Sequence, residues 1–244
     1  MLIDELLIYL FDGKSHLIAA PMAAWLASSR RFTAFVTTYH TKIRKKLRTA
    51  HEPESLRDLQ LELETAYLLL RESSLSLAYE PVHRELGRSP DFAVTFTTSL
   101  VFMVEVTRLR AVQQRISADT TLSIPPKLVD RFTDMLCDKL GQLMSQRSNV
   151  LLVGMESPPM THSELNTIML RLQQRAEAND LAIMQRYGFR DRADFFRHYG
   201  RLSALVVREI PLQAGEPAVI WVNPQAKYPL PAKVHTALTR SHTI

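Results

Sequence analysis

The order of hydrophobic patterns between residues 55 and 155 constrains the fold most strongly. Apolar residues recur at helical spacing from Ser55 to about Arg71, and a second amphipathic helix follows Pro125 and Pro126. Short apolar runs with strand character lie between and after these helices: Leu75–Tyr79, Phe92–Phe96, Leu100–Val106 and Asn149–Met155. This order predicts a sheet with helices on its faces, with antiparallel neighbours first and a parallel crossover later.

Further elements are predicted on both sides of this middle segment. Residues 1–29 indicate one or two short helices, and Arg30–Arg48 indicates a basic amphipathic helix. The later predictions are a long helix from about Ser163 to Tyr187, a short one near Asp191–Tyr199, strands at Leu202–Ile210 and Ala218–Val222, and a tail with Pro and Lys residues. We expect one α/β domain over 1–244, with an N-terminal helical extension (1–50), a core (55–155) and C-terminal additions (156–244).

Composition excludes several classes of protein. Seven glycines in 244 residues argue against a glycine-rich phosphate loop and against a turn-dense β-sandwich. The single cysteine, Cys137, excludes an internal disulfide and a multi-cysteine metal site, and its helical setting predicts a buried, inert thiol. We find no apolar run of the roughly 20 residues that a membrane span needs, and the start MLIDELL is acidic where a signal peptide is basic. These features predict a cytoplasmic protein with no membrane partner.

Two acidic residues stand out by their position. Asp91 opens a strand directly after Pro90, and Glu105 lies inside the apolar stretch of the next strand. In an antiparallel hairpin this spacing places both carboxylates at the same end of the pair. Because close carboxylates repel each other, a divalent metal ion between them is one solution. The alternative is that Glu105 pairs with Arg108 or Arg110 and that Asp91 merely begins a strand.

The predicted basic helix has an uneven distribution of charge. It contains seven cations and no acid between residues 30 and 48. The cations are Arg30, Arg31, Lys42, Arg44, Lys45, Lys46 and Arg48. This pattern is typical either of a solvated amphipathic face or of a surface that contacts the phosphates of nucleic acid.

The segment 55–155 resembles the core of the PD-(D/E)XK nuclease superfamily, which has a restriction endonuclease-like fold. The resemblance rests on the order of the elements, with Pro90-Asp91 as the first half of the motif and Glu105-Val106-Thr107 as the second. It implies a mixed central sheet flanked by helices, with extra helices at both termini of this chain. It also implies that Asp91, Glu105 and the peptide carbonyl of Val106 bind Mg²⁺ or Mn²⁺.

The resemblance further implies a glutamate from the first helix, and two are candidates. Glu62 is nearer than Glu64 to the apolar stripe on the helical wheel and is preferred, but both stay open. Glu156, just after the last of these strands, is a further acid that could approach the same site or simply be solvated.

This chain departs from the motif at one position, because Thr107 stands where the family has its lysine. A threonine hydroxyl hydrogen-bonds a water but cannot act as a base near neutral pH. Lys139 or Lys127 on the following helix could replace the missing cation, whereas Arg108 should point to the opposite face of the strand. Whether the chain is an enzyme is therefore open. It is either a Mg²⁺-dependent nuclease or a catalytically silent module that binds nucleic acid or protein. DNA is the favoured partner, and a homodimer is compatible with the sequence.

Overall fold

A mixed six-stranded sheet forms the centre of the computed structural model, which describes residues 2–81, 89–110, 125–156, 160–210 and 217–242. The strands are β1 (Leu75–Tyr79), β2 (Phe92–Phe96), β3 (Leu100–Leu109), β4 (Ser148–Met155), β5 (Leu202–Glu209) and β6 (Val219–Val222). They lie in the sheet in chain order. The pairs β1–β2, β2–β3 and β5–β6 are antiparallel, and β3–β4 and β4–β5 are parallel. The predicted α/β class and mixed sheet are confirmed, and the two C-terminal strands extend the same sheet.

Helices cover both faces of this sheet. In chain order they are α1 (Ile3–Phe11), α2 (Ala19–Ser28), α3 (Arg30–Thr49), α4 (Pro53–Arg71), α5 (Pro126–Leu140), α6 (His162–Glu177), α7 (Leu181–Tyr187), α8 (Arg192–Tyr199) and α9 (Ala232–Ser241). Helices α1–α4 and α9 pack on one face, and α5–α8 pack on the other. Since β4 is covered on both sides, its residues alternate between the two cores: Val150 and Leu152 face α4, while Leu151 and Val153 face α5.

Two regions of the C-terminal third differ from the prediction or add to it. The long helix expected over residues 163–187 is divided between α6 and α7. Asn179 has a left-handed φ of 53°, and the side chain of Asp180 caps α7 by accepting hydrogen bonds from the N–H groups of Ala182 and Ile183. Apolar spacing missed this break because both helices bury residues in the same core.

The predicted tail contains a helix that the sequence did not indicate. Helix α9 begins after Pro231 and buries Val234, Ala237 and Leu238 against the core shared with α4. Three apolar residues are too few for a clear periodic pattern, which is why the sequence did not indicate the helix.

Close packing of α4 on the sheet sets the position of the acidic residues of that helix. Gly154 of β4 lies beneath Leu61, and a Cβ atom on Gly154 would be 2.7 Å from Leu61 Cδ2. A glycine at this position therefore lets α4 approach the strands closely. None of the described helices combines the length and the apolar character that crossing a membrane requires.

Candidate functional site

Asp91 and Glu105 meet at one end of the β2–β3 pair. Phe92 is opposite Val104 in the antiparallel register, so Asp91 and Glu105, one position further on each strand, adjoin each other. Asp91 Oδ2 accepts a hydrogen bond of 2.7 Å from the backbone N–H of Val106. The structure therefore brings together the two acids that the hairpin spacing placed at one end.

A third carboxylate, Glu62 of α4, lies near this pair. Burial of the Asp91 carboxyl and the negative charges of Glu105 and Glu62 together raise its pKa from the usual 3.8 to about 7. The N–H of Val106 and the ammonium of Lys46 oppose this shift without cancelling it. The three carboxylates are thus close enough for their charges to interact.

The cation nearest to Glu105 comes from α5. Lys139 Nζ donates to Glu105 Oε1 at 2.8 Å, and both side chains are largely buried. Lys127, the other candidate lysine, is an exposed residue in the first turn of the same helix. Of the two candidates, the structure brings Lys139 to the acidic pair.

A cavity of about 300 Å³ adjoins these groups. Its lining consists of Asp58, Leu61, Glu62, Val106, Thr107, Arg108, Arg110 and Lys139. Its lining therefore includes Thr107, the peptide unit of Val106 and the lysine from α5. A small anionic group entering this space would meet both carboxylates and cations.

Lys46, Tyr79 and Glu80 also lie near these acids. The sequence did not predict that they belong to the same site. Lys46 of α3 is 2.7 Å from Glu62 Oε1 and 2.7 Å from Glu80 Oε1, and its Nζ lies 5.0 Å from the centre of the Tyr79 ring. Burial lowers the pKa of Lys46, but the adjacent carboxylates of Glu62 and Glu80 outweigh it and raise the pKa overall. Burial and the nearby carboxylates also raise the pKa of the Tyr79 phenol, which stays protonated.

The strand register could have indicated Glu80. Glu80 directly follows β1, and its N–H donates to the carbonyl of Asp91 at 2.8 Å. Antiparallel pairing of the predicted strands therefore places Glu80 opposite Asp91. Lys46 depends instead on how α3 packs against α4, for which the sequence contains no comparable signal.

Most of the cations on α3 contact other parts of the fold, so they do not form a free basic face. Arg31 donates to the carbonyls of Leu70, Glu72 and Leu75. These carbonyls lie at the end of α4 and on the edge strand β1. Arg31 thus contacts the protein itself, which departs from the phosphate contact that was one interpretation of this helix. Lys42 donates to the carbonyls of Tyr79 and Glu80.

Arg44 and Arg48 pair with Asp12, and Lys46 pairs with the acids of the candidate site. Arg30 and Lys45 are exposed.

The remaining candidates point away from the acidic pair. Arg108 is buried on the α4 side, as the strand alternation predicted, and it pairs with Glu54, Asp58 and Glu156. Glu105 therefore pairs with Lys139 rather than with Arg108 or Arg110. Glu64 accepts a 2.5 Å hydrogen bond from the buried Arg208, so Glu62 is the glutamate of α4 that reaches the site.

Cys137 lies buried on α5, as predicted. Burial raises the pKa of its thiol to about 12. A thiol that stays protonated at neutral pH is a poor nucleophile and a poor metal ligand. Cys137 therefore belongs to the core under α5.

The oxygen atoms of the candidate site suit a hard divalent cation, because Mg²⁺ and Mn²⁺ prefer carboxylate and carbonyl ligands. In the part of the chain that the structure describes, no group of three or more His, Cys, Asp or Glu side chains has the spacing to hold a metal ion as it stands. Mg²⁺ often binds through one or two carboxylates, waters and substrate phosphates. Asp91 and Glu105 fit that simpler ligand set, with Glu62 and the carbonyl of Val106 as further oxygens.

Comparison of the chain with protein-family models, with curated proteins and with solved structures gave no match.

Proposed function

We propose that this protein hydrolyses phosphodiester bonds in nucleic acid with the help of Mg²⁺ or Mn²⁺. The supporting observation is the meeting of Asp91 and Glu105 at one end of an antiparallel pair, with Lys139 on Glu105. The order α4, β1, β2, β3, α5, β4 is also the order expected for a PD-(D/E)XK core. A DNA strand is the favoured substrate.

Each residue of the site has a definable role in this proposal. Asp91 and Glu105 bind the ion, with the carbonyl of Val106 and Glu62 as additional ligands. The N–H of Val106 fixes one oxygen of Asp91, and Lys139 fixes one oxygen of Glu105. When bound, the ion lowers the pKa of a water molecule and stabilises charge on the phosphate.

Lys139 takes the place of the lysine that the motif lacks at Thr107. Its ammonium lies beside the metal-binding acid and borders the same cavity as Thr107. From there it can hold the attacking water or offset the negative charge that develops on the phosphate. The Thr107 hydroxyl can accept or donate a hydrogen bond to that water.

A second function, a catalytically silent module that binds nucleic acid or protein, is favoured by two observations. Thr107 has no charge, and Glu62 and Glu105 already pair with lysines. A silent module would keep the fold and the exposed cations Arg30 and Lys45 but would not cleave.

A cleavage assay separates the two functions. Purified protein is incubated with plasmid and with single- and double-stranded oligonucleotides in Mg²⁺ or Mn²⁺, alongside the variants Asp91→Asn and Glu105→Gln. We expect metal-dependent cleavage by the wild type and a loss of at least roughly 100-fold in each variant, because each removes a charged ligand of the ion.

Asp4→Asn is the matched control, because Asp4 is an exposed acid on α1 far from the site in sequence. It should cleave like the wild type. Cleavage that survives in Asp91→Asn contradicts the proposal. An inactive wild type that still binds the oligonucleotides supports the silent module instead.

A further inference from the structure

Lys46 connects the N-terminal part of the chain to the acidic site. It lies on α3, outside the segment 55–155 that resembles the nuclease core. Its ammonium is 2.7 Å from carboxylate oxygens of both Glu62 and Glu80. About 29% of the side chain is exposed, so the ammonium is partly shielded but reachable from solvent.

Each acid of the site has a donor from the protein itself. Glu62 is held by Lys46, Glu105 by Lys139, and Asp91 by the N–H of Val106. An ion that binds Glu62 must therefore compete with the ammonium of Lys46 for the same carboxylate. Among the described residues the acids are correspondingly not gathered into a ready three-ligand group.

A phosphate changes this competition. It offers the ammonium a second anion, and lysine binds phosphate well as a point charge on a flexible stem. Lys46 borders a shallow pocket of about 350 Å³ together with Thr49, Ser55, Asp58 and Glu62, so a phosphate has space to approach it. When the Lys46 ammonium pairs with the phosphate, Glu62 becomes free to bind the ion.

We propose that Lys46 is a positioning residue that holds Glu62 away from the divalent ion until a nucleic-acid phosphate binds its ammonium. This inference rests on the proposed function. It makes ion binding and nucleic-acid binding cooperative, because each ligand removes an obstacle to the other and such coupling is reciprocal. The N-terminal helices thereby make the affinity of the metal site depend on bound substrate.

The test measures the affinity for Mn²⁺ by calorimetry, with and without a phosphorothioate oligonucleotide that resists cleavage. For the wild type we expect the oligonucleotide to tighten Mn²⁺ binding by roughly fivefold or more. Lys46→Met should bind Mn²⁺ several-fold more tightly than the wild type without the oligonucleotide. Adding the oligonucleotide should then change the Mn²⁺ affinity of this variant little.

Three variants make this result interpretable. Lys46→Arg keeps the charge and should keep the coupling. Lys46→Gln removes the charge but retains a hydrogen-bond donor, and it replaces Lys46→Met if that variant does not fold. Lys233→Met removes an exposed lysine of α9 and should match the wild type in both measurements.

The outcomes distinguish failure of the inference from failure of the proposed function. If Lys46→Met and Lys46→Gln show the same Mn²⁺ affinity and the same coupling as a wild type that cleaves, the inference is overturned and the proposed function stands. If the wild type binds no Mn²⁺ under either condition, both are overturned.

Discussion

At the scale of single residues, burial of the Asp91 carboxyl makes its ionised form unfavourable in the folded protein. Its carboxyl is enclosed near two other carboxylates, and its pKa of about 7 reflects the free energy needed to ionise it there. A divalent ion would remove this cost by pairing with the carboxylate. A residue kept in such surroundings is typical of a functional site.

The pH dependence of stability follows from this shift. The pKa of Asp91 is about 7 in the folded protein and near 3.8 when the residue is solvated, so the folded state binds more protons between these values. The contribution of Asp91 to the free energy of unfolding is therefore greatest below 3.8. It decreases as the pH rises towards 7 and is constant above that.

Asp91→Asn should stabilise the metal-free protein at high pH. The amide occupies the same space without charge, so we expect the free energy of unfolding in EDTA to rise by about 1–3 kcal/mol at pH 8 and to change little at pH 4. Urea denaturation at the two pH values measures this, with Asp4→Asn as the control. An equal effect of Asp91→Asn at both pH values would contradict the assigned shift.

Sequence predicts some residues of the site better than others. Asp91 and Glu105 are separated by a short hairpin, so local pairing fixes their proximity. Lys139 was predicted as one of two candidates because the rotation of α5 about its axis is not set by local pattern. Lys46 and Tyr79 depend on the packing of α3 and α4, which is a tertiary property. For that reason the sequence placed Lys46 only on the basic face of a predicted helix and Tyr79 only in a predicted strand.

At the scale of elements, Arg108 joins the first turns of α4 to the ends of β3 and β4. Only about 1% of its side chain is exposed, and it pairs with Asp58 at 2.7 Å, with Glu54 at 2.6 Å and with Glu156. Because Glu62 lies one turn further along α4, this cluster also sets where Glu62 sits relative to β3.

Arg108→Met should loosen this junction. It leaves three carboxylates near each other without their shared cation, although they are exposed enough to regain water. We therefore expect a loss of about 2 kcal/mol in the free energy of unfolding, measured with urea. Arg57→Met is the matched control, because Arg57 contacts Glu54 and Glu156 from an exposed position and should cost less than about 0.5 kcal/mol. Equal effects of the two variants would show that Arg108 has no special role.

The elements themselves were largely predictable, and each error has an identifiable cause. Strands β1–β4 were found because β-branched and aromatic residues alternate or run continuously between turn residues. Helices α6 and α7 were merged because the cap at Asp180 is a local signal inside a longer apolar pattern. Capping chemistry would have divided them correctly.

At the scale of the whole molecule, the N-terminal helices are part of the core rather than an addition to it. Leu6, Met22, Phe32 and Ile43 are buried in the same cluster as residues of α4 and of the sheet. The packing therefore does not separate the predicted extension (1–50) from the predicted core (55–155), because α4 is covered by α3 as well as by the strands.

Removal of residues 1–50 should accordingly unfold the protein instead of leaving a folded core. The remaining chain would expose one apolar side of α4 and the edge of β1, so we expect no cooperative thermal transition by circular dichroism and strong binding of the dye ANS. The full chain is the control. A cooperative transition in residues 51–244 would contradict this account of the core.

The most direct test of the proposed site is anomalous diffraction from crystals soaked in Mn²⁺ at pH 8, recorded at the manganese absorption edge. We predict one strong peak within coordination distance of carboxylate oxygens of both Asp91 and Glu105, absent in Asp91→Asn. A wild-type crystal with no peak between these two residues, or with a peak only elsewhere, would contradict the shared metal site.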